Sequence, residues 1–164
     1  MTTSLRRTTA LALIAFTMII ATGRPKAQAA DFAFRFEYGC GLYQDRFDTF
    51  SSSFTRNLAT IRLSLSPEQM RAISEAVEKI GFFDYPATFS GGRAGVDEVI
   101  SVTPAFMYRF EVRRAGRLHT VTSDDGTLPA SVEAIRLGKL FELIRGFITE
   151  HPDVKRLPSR FACE

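Results

Sequence analysis

The chain has 164 residues, a formal net charge of +3 and a sequence pI of about 9.1, but its first 29 residues carry that basic balance. Without them Arg6, Arg7, Arg24 and Lys26 are lost and 17 Lys and Arg face 18 Asp and Glu, so residues 30–164 give no charge argument for nucleic acid or an anionic membrane as partner. The remaining 135 residues suffice for one domain with a core of its own and are too few for two ordinary ones.

Arg6 and Arg7 precede an apolar run from Ala10 to Ala21, which is followed by Ala27-Gln28-Ala29. A charged start, a short apolar middle and an A-x-A exit predict a secretory signal peptide over residues 1–29. The run falls short of the roughly 20 residues of a membrane-spanning helix. Thr8, Thr9 and Ala10 stand where a twin-arginine signal carries bulky apolar residues, and no cysteine ends the leader for a lipid anchor. The expectation is general secretion to the periplasm or beyond, with no stable membrane insertion once the leader is removed.

Phe32, Phe34, Phe36 and Tyr38 alternate with Ala33, Arg35 and Glu37, which puts four aromatics on one face of a strand. Cys40 follows, and Cys163 is the second-last residue. In an oxidising compartment an even pair of cysteines is expected to bridge. Closing so long a loop contributes about 4 to 5 kcal/mol in the chain-entropy model. The alternative, two unpaired thiols, stays open at this stage, but neither cysteine has a Cys or His at ligand spacing for a metal.

From Tyr43 to Leu58, Phe47, Phe50 and Phe54 are interleaved with Asp, Ser and Thr, which predicts one or two short strands with a turn near Ser51 to Ser53. Ile61, Leu63 and Leu65 alternate with Arg62 and Ser64 as a further strand. Ser66-Pro67-Glu68-Gln69 then supplies an N-cap hydroxyl, a proline at the first helical position and a capping-box Gln. Met70, Ile73, Val77 and Ile80 share a face of the predicted helix, and Gly81 is placed to end it. Phe82, Phe83 and Tyr85 are expected to fasten its end to the core.

Residues 86–98 read as a loop rich in Pro and Gly. Gly91-Gly92-Arg93-Ala94-Gly95 suggests a phosphate cradle, but no strand feeds it and no Gly-Lys-Ser/Thr ending follows. Two strands are predicted from Phe106 to Arg114 and from Arg117 to Ser123, around a turn at Ala115-Gly116. A two-residue turn sets Val112 against His119, Phe110 against Val121 and Tyr108 against Ser123, with Arg109, Glu111 and Arg113 on the other side. Asp124-Asp125-Gly126 lacks the alternating ligands of a calcium loop and reads as a turn. Pro129 and Ser131 lead into the longest helix, whose stripe is Leu137, Leu140, Phe141, Ile144, Phe147 and Ile148, with Pro152 ending it.

The fold expected is α+β: an antiparallel sheet of four to five strands with two helices packed on one face, in a doubled ββα order. Phe36-Glu37-Tyr38-Gly39-Cys40, the Ser66-Pro67-Glu68-Gln69 helix with Ile80-Gly81-Phe82-Phe83 behind it, Tyr108 to His119 and Leu157-Pro158 resemble small exported bacterial proteins grouped as domains of unknown function. That resemblance implies an α+β domain and assigns no activity and no functional residue.

Two functional classes remain. The first is a non-catalytic exported module that binds an envelope or extracellular protein, with Arg109, Glu111, Arg113 and Thr122 as candidate contact residues and no cofactor or metal. The second is an envelope-acting hydrolase using His119 with a distant carboxylate, Asp97, Glu98 or Asp48. The simplest triad is excluded, because His119 and Ser123 are four positions apart on one strand, about 13 Å at strand rise.

Overall fold

The aromatic alternation from Phe32 to Tyr38 builds the centre of the sheet. The structure is a computed structural model that describes residues 31–40, 43–91, 100–101, 105–128 and 130–158. The predicted leader, Cys163, Asp97, Glu98, Pro129 and Gly92 to Gly95 lie outside the described residues. Strand β1 (Ala33–Cys40) pairs antiparallel with β2 (Tyr43–Asp48) on one side and with β7 (Met107–Arg114) on the other. Beyond β2 lie β3 (Ser53–Arg56) and β4 (Ala59–Arg62). Beyond β7 lie β8 (Arg117–Asp124) and the two-residue edge strand β5 (Thr88–Phe89). The order is β4-β3-β2-β1-β7-β8-β5, and a separate ribbon pairs β6 (Ile100–Ser101) with β9 (Thr127–Leu128).

The class is α+β as expected, but the sheet has seven strands rather than four to five, and it is not wholly antiparallel because β5 runs parallel to β8. Nor is the order a doubled ββα, since among the described residues four strands precede the first helix. The stretch read as a loop from Pro86 supplies the edge strand β5, and the stretch after Tyr43 takes the larger of the two expected strand counts. There Asn57, at φ +54°, turns the chain between β3 and β4, in addition to the turn through Ser52 at φ +51°. Asn tolerates this left-handed conformation better than most side chains. The strand expected over Ile61 to Leu65 ends at Arg62, although Leu63 still packs inward at 1% exposed.

Helix α1 (Pro67–Lys79) has the predicted capping box. The Ser66 hydroxyl accepts from the Gln69 amide, and the Gln69 side chain accepts from the Ser66 amide. Gly81, at φ +67°, turns the chain out of the helix into a 3-10 turn at Phe82–Asp84. Helix α2 (Val132–Thr149) is capped by Ser131 and stops before Pro152, which instead sits at the start of the short α3 (Pro152–Lys155).

The two long helices share a core with one face of the sheet. Ile73 and Val77 of α1 and Leu137, Phe141 and Ile144 of α2 join Phe34, Phe36, Phe47, Phe54, Phe110 and Val121 in it. Phe141 lies 5.3 Å from the Phe36 ring and 4.9 Å from Tyr108, and Phe82 lies 5.0 Å from Phe110. Edge-to-face and offset stacking of this kind adds to the hydrophobic gain of burying the rings. Both helices therefore lie on the inner side, and the opposite face of the sheet takes no part in this core.

Candidate binding face

The period of two that sends the aromatics inward sends a different set outward. Register carries it across the strands. One row runs Arg62, Ser53, Asp48, Arg35, Glu111, Thr120, and the next runs Thr60, Thr55, Arg46, Glu37, Arg109, Thr122, Thr88. Arg113 and Leu118 form a third pair on the same side. The four predicted contact residues, Arg109, Glu111, Arg113 and Thr122, thus share this outer face.

Its charges alternate from strand to strand. Arg35 bonds Asp48 at 3.0 Å and reaches Glu111 at 3.4 Å. Arg46 lies 3.5 Å from Glu37 and 3.6 Å from Asp48, and Arg109 lies 4.0 Å from Glu37. Asp48 also takes the amides of Phe50 and Ser51, closing the turn after β2. Burial alone would push its carboxyl up. The Arg35 and amide hydrogen bonds outweigh that and hold it below the ordinary carboxylate value. Burial likewise opposes the charge on Arg35, yet its contacts with Asp48, Glu111 and Glu37 hold its proton more firmly than usual.

At one corner the Arg113 guanidinium lies 4.9 Å from the centre of the Phe50 ring and that of Arg35 lies 5.9 Å from it. Phe50 is 39% exposed, and Leu118, opposite Arg113, is 62% exposed. Aromatic side chains and arginine are among the residues enriched where proteins meet proteins.

His119 faces the other way. Val112 stands opposite it, as a two-residue turn at Ala115-Gly116 requires, with both turn residues at positive φ. Its Nε2–H donates to the Tyr85 carbonyl at 2.8 Å, and its ring lies 5.5 Å from Phe82 and 6.0 Å from Phe83. The bond holds the segment after α1 against β8, where the Thr122 amide donates to Ala87 and β5 then pairs. Asp48, one of the carboxylates considered as its partner, lies on the opposite face of the sheet, and among the described residues His119 makes no ion pair.

Sequence reasoning passed over a second polar group on the inner face. Asp45, 1% exposed, takes a two-pronged bond from Arg56 at 2.8 to 3.2 Å, with Tyr38 opposite it in the register. The bonds to Asp45 outweigh burial and hold the Arg56 proton more firmly than usual. The signal was present: Asp45 and Arg56 have the inward parity of Phe47 and Phe54. Cys40 is 7% exposed at the end of β1, and no described cysteine is free. Among the described residues no group of three His, Cys, Asp or Glu side chains could hold a metal ion, and no helix is long and apolar enough to cross a membrane. No protein-family model matches the chain, and no curated protein matches it either.

Proposed function

We propose that this chain is a non-catalytic binding module, exported to the periplasm or beyond, which meets a protein of the envelope or extracellular space through the outer face of its sheet. The observation that carries this reading is the asymmetry of the sheet. One face is filled by helices and aromatics, while the other offers Arg109 and Arg113 exposed, with Phe50 and Leu118 half open beside them. Polar and apolar groups so interspersed suit an interface that must also exist free in water. The leader-like residues 1–29 support export, and a Cys40–Cys163 bridge belongs to the same reading. His119 serves the fold in it, holding the Tyr85 carbonyl.

The test is site-specific photocrosslinking in the producing cells, with the reactive group placed at Leu118 on the outer face or at Ile135 on the exposed side of α2. A discrete protein adduct from Leu118 and none from Ile135 is the expected result. Adducts from Ile135 alone, or from neither position, would sink the assignment of this face.

A further inference from the structure

We propose that the surface this face accepts is acidic, a carboxylate-bearing protein surface; the inference rests on the outer face being the contact surface. The argument comes from depth as well as from number. The carboxylate side chains lie low, Asp48 at 7%, Glu111 at 18% and Glu37 at 23% exposed, while their guanidinium partners stand above them, Arg35 at 31%, Arg46 at 49% and Arg109 at 55%. These three carboxylates are already occupied by arginines of the same face, so what an approaching partner meets first over them is a layer of guanidinium groups.

Two further arginines raise the excess. Arg62 and Arg113 point to the same side, both are exposed, and neither forms an ion pair among the described residues. Five arginines therefore stand against four carboxylates, the fourth being Asp124 opposite Met107 at the end of β8, on one face of a domain whose residues 30–164 are close to neutral overall. A local excess of this kind steers an oppositely charged partner and rejects a like-charged one. Guanidinium forks match carboxylates in planar, two-bond geometry. Phe50 and Leu118 beside Arg113 then favour a carboxylate carried on a protein, next to apolar side chains, over a bare polyanion.

The experiment uses the oxidised mature protein with poly-L-glutamate, poly-L-lysine and dextran sulfate of similar length as probes, in parallel with identification of the Leu118 adduct. Arg62→Gln combined with Arg113→Gln is the informative variant, because it removes positive charge without unpairing Glu37, Asp48 or Glu111. Poly-L-glutamate is expected to bind while poly-L-lysine does not. The double variant should weaken that binding about tenfold at an unchanged Tm, while Arg136→Gln with Lys139→Gln on α2 leaves it as it was. Equal loss from both double variants would overturn the inference, as would preference for poly-L-lysine or capture of dextran sulfate alone. A Leu118 adduct whose contact surface is basic or uncharged would overturn it while leaving the binding face standing. Absence of any Leu118 adduct defeats the reading of the face itself.

Discussion

Asp45 and Asp48 are three residues apart on one strand, yet they point to opposite faces of the sheet and fail in different ways when altered. Asp45 is enclosed with Arg56 on the inner face, so Asp45→Ala leaves a guanidinium, 12% exposed, without its counter-charge. Urea unfolding of that variant should show a loss of about 3 to 5 kcal/mol, the usual cost of orphaning one partner of a buried pair. A loss below 1 kcal/mol would mean that the pair is hydrated. Asp48 lies under the outer arginines and its folded pKa is depressed, so its stabilising effect is complete above its ordinary value of 3.8 and disappears as pH falls through the lower folded value. In urea titrations between about pH 5 and 2, the native protein should lose stability more steeply than Asp48→Asn, which has no proton to take up there. Parallel curves would show that Arg35 and the turn amides do not favour the charged form.

Between elements, one join that places β5 is the bond from His119 to the Tyr85 carbonyl, beside the Thr122 amide's bond to Ala87. His119→Ala removes the donor and leaves a carbonyl under β8 unpaired, which costs about 1 to 3 kcal/mol. Hydrogen exchange should show the Thr122 amide, which donates to Ala87, losing protection before the amides shared by β1 and β7. Uniform loss across the sheet would mean that this edge unfolds only with the whole. The same elements mark how far the sequence could be read. Alternation in β1, β7 and β8 and the Ser66 cap have strong local causes, and register followed from the two-residue turn, so the outer placement of Arg109, Glu111, Arg113 and Thr122 was legible. The tight turn that joins β3 to β4 was not, because Asn57 and Leu58 make a weak turn signal, although strands were expected on either side of it. Thr88 and Phe89 become a strand only by parallel pairing with a distant neighbour, which leaves no periodic trace. Asp45 and Arg56 carried the inward parity of Phe47 and Phe54 and were still passed over, because a charged pair breaks the apolar pattern by which an inner face is recognised.

For the whole molecule the question is what holds a sheet whose central strand is the first one described. β1 is flanked by β2, its neighbour in sequence, and by β7, more than sixty residues later, so the sheet closes only after most of the chain has been made. A covalent tie between the end of β1 and the chain's far end would restrict the unfolded ensemble over nearly the whole length of the domain. That is the physical case for pairing Cys40 with Cys163 in the oxidised protein. Combining Cys40→Ser with Cys163→Ser should lower stability in urea by about 2 to 5 kcal/mol, with the smaller value expected if the unfolded chain keeps residual structure. Reductant should lower the Tm of the native protein to that of the double variant and leave the variant unmoved. Each single variant should match the double one in stability and gain a titratable thiol. If both cysteines of the native protein label freely under oxidising conditions, the bridge is absent, and the order of the β1 end rests on its hydrogen bonds to β2 and β7 alone.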